Sequence, residues 1–132
     1  MAKKEHYMDY VTHAFVTYFR LGCPTRAALE TDIVAKAQHS EAEVSARRPL
    51  LEDVEAVNRV IERLKSDGRT EVIDALKVVY VADGRYALRR GAVSARVRRF
   101  AVECPAAERT VYKWLKMARK MFCEERGLNI EP

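Results

Sequence analysis

The sequence has few of the residues that build metal sites or disulfide frameworks. Its three cysteines, Cys23, Cys104 and Cys123, form no CxxC pair, and its three histidines are scattered along the chain. An odd number of cysteines without paired spacing argues against a disulfide framework. We therefore expect each cysteine to be a small buried apolar residue, and we predict neither a metal site nor a cofactor.

Membrane spans and local catalytic motifs are also missing. No apolar run approaches the roughly 20 residues that cross a bilayer, and the first ten residues, MAKKEHYMDY, contain no signal-peptide core. The sequence contains no GxxxxGK[ST] phosphate loop, no HExxH motif and no nucleophile–histidine cluster with local motif spacing. These absences predict a cytoplasmic protein that is not an enzyme and does not contact a membrane.

Positive charge is plentiful, and it is concentrated in the second half of the chain. Residues 1–66 carry ten basic and ten acidic side chains, whereas residues 67–132 carry fourteen and nine, which accounts for the whole net charge of +5. The stretch from Arg85 to Lys120 contains eleven basic residues and two acidic ones. Such asymmetry indicates a polyanionic partner for the C-terminal half, so we divide the chain into regions 1–66 and 67–132.

Apolar residues recur with helical spacing throughout the N-terminal part, which predicts an all-α fold that begins with a helical bundle. Pro49 is expected to open one long helix and Ser66-Asp67-Gly68 to end it. Aromatic residues are dense in the first helix, where they predict core packing or, alternatively, a surface for a second subunit or a partner. The predicted helices are Glu5–Leu21, Thr25–Gln38, Ser40–Arg47, Pro49–Ser66 and Thr70–Ala82.

Two further helices are predicted between Ala92 and Leu128. Val93, Val97, Phe100 and Ala101 mark the apolar side of the first, and the second shows the same spacing. Pro105 cannot continue the first helix, so the chain must turn there. Two helices joined by a short turn are typical of the helix-turn-helix, whose second helix enters the major groove of DNA. The helix Thr70–Ala82 would complete a three-helix domain.

The segment AAERTVYKWLKMARKMF resembles the recognition helix of sigma-factor region 4. The places of that pattern, which begins with a small residue, are occupied here by Ala107, Thr110, Val111, Leu115, Ala118 and Phe122. This chain departs from the pattern at Ala107, where many such proteins have a serine cap, and at Pro105, where they have a glycine. The longer layout resembles phage and prophage transcriptional regulators of the ArpU and RinA type. That resemblance implies a DNA-binding regulator of late phage genes.

Helix geometry separates two sets of candidate DNA contacts. If Val111, Leu115 and Ala118 face the core, the opposite side of the same helix start can read base edges. Arginines nearby are better placed for phosphates, which fix register without reading sequence. The predicted base-reading residues are Glu108, Arg109, Tyr112, Lys113 and Lys116. The predicted phosphate contacts are Arg90, Arg96, Arg98 and Arg99.

Three neighbouring side chains have less defined roles. Arg119 and Lys120 either extend the DNA contact or are simply solvated. Trp114 is expected to be a packed residue at the edge of the core, because base stacking matters chiefly for single strands.

The sequence therefore predicts a transcriptional regulator that binds a specific sequence of double-stranded DNA. Its N-terminal bundle would mediate self-association or contact RNA polymerase, and a homodimer would favour a palindromic operator. Two other classes of protein stay open. One is a DNA-packaging protein like a small terminase subunit, or a structural helical oligomer. The other is a protein-interaction module that uses the basic face to bind an acidic partner.

Overall fold

A computed structural model describes residues 10–36, 41–81 and 92–128 of the chain, and all regular structure in these ranges is α-helical. The predicted fold class, all-α, is confirmed. None of the described helices is long and apolar enough to cross a membrane. The helices are α1 (Tyr10–Arg20), α2 (Arg26–Lys36), α3 (Glu41–Ala46), α4 (Arg48–Ser66), α5 (Thr70–Val81), α6 (Ala92–Glu103) and α7 (Glu108–Arg126).

Local sequence signals explain where these helices begin and end. Proline lies in the first turn of α4, where its missing N–H breaks no helical hydrogen bond. Gly22, with φ of 86°, lies in the turn after α1, two residues beyond its last residue, and Gly127, with φ of 67°, ends α7 in the left-handed conformation. The sequence predicts that the first helix begins at Glu5 and the third at Ser40, but residues 5–9 and Ser40 lie outside the described ranges.

The centre of the fold is a cluster of three buried rings where α1, α5 and α7 meet. The ring of Phe15 lies 5.9 Å from that of Tyr80 and 5.8 Å from that of Phe122, measured between centroids. All three side chains are fully buried. The same hydrophobic cluster includes residues of α4 and α6. The division that we placed at residue 66 falls at the end of α4, and the buried cluster contains residues from both sides of it.

The predicted apolar stripes of the longer helices are confirmed. Every residue that we expected to face inward on α6 is buried, and the same holds for α7. On α4 the steps of four and three residues from Leu50 to Leu64 also predict one apolar stripe, and its residues are buried except Leu50, which is half-buried. The buried stripe residues are Val54, Val57, Ile61 and Leu64 of α4, Val93, Val97, Phe100 and Ala101 of α6, and Val111, Leu115, Ala118 and Phe122 of α7.

Two expectations about buried residues are wrong. On α2 the spacing of apolar residues predicts that Ala28, Leu29, Ile33, Val34 and Ala37 all face inward. However, Leu29 is the buried residue of this helix and Val34 is exposed, while Ala37 lies outside the described residues. The reason is that α2 packs mainly against one helix, α4, which covers a narrow strip of its surface. Cys23 is exposed because it follows α1 in a surface turn with φ of 57°, whereas Cys104 and Cys123 are half-buried.

An ion-pair group fixes the C-terminal end of α7 to α4 and α1. Arg126 donates from Nε to Asp53 Oδ1 at 2.7 Å, and Tyr10 donates its hydroxyl to the same oxygen at 2.7 Å. Glu52 lies 3.3 Å from Arg126 Nη1. The hydrogen bond to Asp53 is the main reason that the pKa of Arg126 is raised. A second ion pair, between Arg63 and Glu125 at 3.3 Å, also joins α4 to α7.

Candidate nucleic-acid interface

The predicted turn between the last two helices is present at residues 104–107. Cys104 donates its backbone N–H to Phe100 at 2.8 Å, and Ala106 donates to Ala101 at 3.0 Å, so both bonds close the end of α6. Ala107 is then extended, with φ of −72° and ψ of 144°, and α7 begins at the next residue. Pro105 therefore lies where a proline is tolerated, in an exposed turn outside both helices.

Ala107 stands where related patterns have a serine cap, and the geometry shows how α7 begins without one. No side chain caps the helix. The carbonyl of Ala107 nevertheless accepts backbone bonds from Thr110 at 2.9 Å and Val111 at 3.1 Å. The acidic side chain of Glu108 lies in the first turn, where it interacts favourably with the positive end of the helix dipole.

Three contacts hold α6 against its neighbours. Phe100 and Trp114 meet edge to face with centroids 6.5 Å apart, which confirms the expectation that Trp114 is a packed residue. Tyr112 donates its hydroxyl to Ser94 Oγ at 3.3 Å, between α7 and the start of α6. Arg96 donates from Nη1 to the carbonyl of Val79 at 2.8 Å, between α6 and α5. Helices α5, α6 and α7 thus form a packed three-helix unit.

A single line of basic side chains runs along the outer side of α7. Successive residues of an α-helix are rotated by about 100°, so residues spaced by four, three and four positions fall within about 60° of one another. These side chains are all exposed, and they lie opposite the buried stripe that begins at Val111. We call this set the basic stripe; it consists of Arg109, Lys113, Lys116 and Lys120.

The charges of the basic stripe are not neutralised within the described part of the chain. None of its four side chains forms an ion pair with a residue of ranges 10–36, 41–81 or 92–128. The C-terminal end of the same helix differs, because Glu125 and Arg126 both pair with α4. Among the residues that the structure describes, the outer surface of α7 therefore changes from cations without ion pairs to paired charges after Lys120.

The other predicted base-reading residues flank the basic stripe. Glu108 is exposed at the start of α7, about 100° around the helix from Arg109. Tyr112 is half-buried and its hydroxyl is directed to Ser94. The structure thus brings the five predicted residues onto one end of α7, with three of them on the basic stripe. Lys120, whose role the sequence left open, extends the line in the same direction.

The four predicted phosphate contacts are not equivalent. Arg98 is exposed and has no ion pair within the described ranges, and Arg99 is exposed beside Glu103, with Arg99 Nε 3.6 Å from Glu103 Oε1. Arg96 is half-buried and bonded to α5, so one part of its guanidinium serves packing. Arg90 lies outside the described residues.

The expectation for Arg119 is wrong, since it is neither solvated nor on the outer surface. Its side chain is buried and donates from Nη1 to Thr12 Oγ1 at 2.8 Å. Arg119 lies about a quarter turn from the basic stripe, on the side of α7 against which α1 packs. This contact could not be predicted from the sequence, because nothing in the local pattern shows which helix lies beside α7.

Within the described ranges, no group of three or more histidine, cysteine or acidic residues is arranged to hold a metal ion. Comparison with known proteins adds no relative: no protein-family model, curated protein or solved structure matches the chain.

Proposed function

We propose that this chain binds double-stranded DNA through α6 and α7 and acts as a transcriptional regulator. One observation supports the proposal above all: an exposed basic stripe, with no ion pair to the described residues, lies on α7, which a short turn joins to α6 in a packed three-helix unit. A protein that neutralises DNA phosphates or reads base edges needs basic side chains that are not already paired within its own fold. The resemblance to phage and prophage regulators supports the regulatory part of the proposal, which requires a cytoplasmic location.

The proposed binding mode assigns different roles to the two helices. The start of α7 enters the major groove, with Arg109 and Lys113 directed at base edges. Arg98 and Arg99, on the exposed side of α6, contact phosphates beside the groove. The remaining surface of the N-terminal helices is then available for a second copy of the chain or for RNA polymerase.

The proposal can be tested by selection from random-sequence duplexes. Fluorescence anisotropy then compares binding to the enriched duplex with binding to a scrambled control. We expect an enriched sequence that binds well above the control. Arg109→Ala should weaken binding to that sequence by about 1–3 kcal/mol and leave binding to the scrambled duplex nearly intact. Arg98→Ala should weaken both and reduce the salt slope by about one unit.

A matched control substitution distinguishes the loss of a charge on the basic stripe from the loss of a positive charge elsewhere on the protein. Lys65→Gln removes an exposed lysine of α4 that has no ion pair within the described ranges, and Lys113→Gln makes the same change on the basic stripe. Only the second change should weaken DNA binding by more than a few tenths of a kcal/mol. Equal effects of the two changes would contradict a localised interface. Salt-sensitive binding without sequence enrichment would favour DNA packaging, and no duplex binding would favour an acidic protein partner.

A further inference from the structure

The side chains of the basic stripe can donate hydrogen bonds but cannot accept them. Arginine and lysine side chains carry only donors, and no acceptor lies within the stripe. Two acidic side chains of α7 adjoin the stripe: Glu108 is about 100° around the helix from Arg109, and Glu124, one turn beyond Lys120, is paired with Arg63 at 3.6 Å. The hydroxyl of Tyr112, on the flank of the stripe, is directed to Ser94 at 3.3 Å. A ligand that satisfies the stripe must therefore present acceptors along its whole length.

The base edges of duplex DNA differ in how well they meet that requirement. In the major groove, guanine presents two adjacent acceptors, N7 and O6. Adenine presents one acceptor beside an amino donor, and cytosine presents an amino donor. Donors on the stripe would leave those amino groups without acceptors. Guanine is therefore the base that a donor-only surface matches best.

The position of the stripe on α7 favours bases over phosphates. The stripe lies opposite the buried residues of the helix, so it forms the most protruding line of α7. When a helix enters the major groove, its most protruding line faces the base edges, and its flanks face the phosphate strands. On α6, Arg98 and Arg99 are separate candidates for the phosphates.

The length of the stripe sets the length of the sequence that it can contact. Arg109 and Lys120 are eleven residues apart, which corresponds to about 16 Å along a helix axis. Base pairs are spaced by about 3.4 Å, so this length covers about five base pairs. Neighbouring stripe residues are separated by about 4.5–6 Å along the axis, which corresponds to one or two base steps.

From this chemistry and length we propose that the basic stripe reads guanine acceptors in the major groove, so that the preferred half-site is a guanine-rich strand of about five base pairs. The inference rests on the proposed function, because it specifies which duplex the same surface prefers. It also predicts which atom of the base is contacted, and that atom can be removed without disturbing base pairing.

Four hairpin duplexes with identical flanks test the inference by fluorescence anisotropy at one fixed salt concentration. The first carries five consecutive guanines on one strand. The second replaces them with 7-deazaguanine, which lacks N7, and the third replaces them with inosine, which lacks only the minor-groove amino group. The fourth carries five adenines. We expect binding about tenfold weaker for the 7-deazaguanine and adenine duplexes than for the guanine duplex, and an affinity for the inosine duplex within about twofold.

Variants of the chain connect the effect to the basic stripe. Lys116→Gln should reduce the preference for guanine over 7-deazaguanine several-fold, whereas Lys65→Gln on α4 should leave it unchanged. Both substitutions are at exposed positions, and circular dichroism checks that each variant is folded. Equal affinity for the guanine and 7-deazaguanine duplexes would overturn the inference while leaving DNA binding in place. Failure to bind any of the four duplexes would instead count against the proposed function itself.

Discussion

Truncation of Phe122 is the sharpest test of how this fold is held together. Its ring is fully buried and lies 5.8 Å from Phe15, at the point where α7 meets α1 and α5. Phe122→Ala removes the ring and leaves a cavity that the surrounding helices cannot fill completely. Such truncations cost about 3–5 kcal/mol. Phe122→Leu keeps most of the apolar volume and should cost about 1–2 kcal/mol.

Urea unfolding with two probes measures both the size of the effect and its extent. Far-UV circular dichroism reports on all helices, and the fluorescence of Trp114, the single tryptophan, reports on the contact between α6 and α7. Because one buried cluster includes residues from both halves of the chain, both signals should shift together. A Trp114 transition that Phe122→Ala leaves in place would refute this reasoning and show that the contact between α6 and α7 unfolds independently of the buried ring cluster.

Three further predictions follow from individual contacts. Arg126→Gln should lower the free energy of unfolding by about 2–3 kcal/mol, since the Arg126 and Asp53 side chains are 18% and 15% exposed. Arg63→Gln breaks a more exposed ion pair and should cost less than about 1 kcal/mol in the same urea assay. Burial raises the pKa of Tyr18 to about 12 from its ordinary value of 10. Between these two pH values the unfolded chain loses the Tyr18 proton first, so stability should fall as the pH rises, and Tyr18→Phe should remove that part of the pH dependence. Gly127→Ala places a side chain at φ of 67° and should cost about 1–2 kcal/mol by thermal unfolding, whereas no loss would contradict the left-handed end of α7.

The helices that the sequence predicted best are those with long and regular apolar periods. In α7 the spacing of Val111, Leu115, Ala118 and Phe122 defines a face over several turns, and all four are buried. The turn before α7 was also predictable, because Pro105 cannot continue a helix. The basic stripe follows from the same period, since a residue opposite the core is exposed whichever helix packs on the other side.

Side chains on the flanks of a helix, between its buried face and the face opposite the core, could not be placed from the sequence. Arg119 lies on the flank of α7, and its burial depends on the presence of α1 beside it. Arg96 occupies a similar flank of α6, and it bonds to Val79 because α5 packs there. On α2, Val34 is exposed because that helix has one main neighbour. Each outcome depends on contacts between residues far apart in the chain, which a local pattern does not encode.

The continuity of α7 has a mechanical consequence for the proposed function. Its sequence from Glu108 to Arg126 contains neither glycine nor proline, the residues at which helices most often bend. Its first turns carry the basic stripe, while its last turns are fixed to α4 and α1 through Arg126, Asp53 and Tyr10. The helix proposed to read DNA thus also packs against α1 and α4. A second subunit or an RNA polymerase that binds α1 and α4 would therefore be held at a fixed orientation to the DNA, because the continuous helix α7 connects the two surfaces.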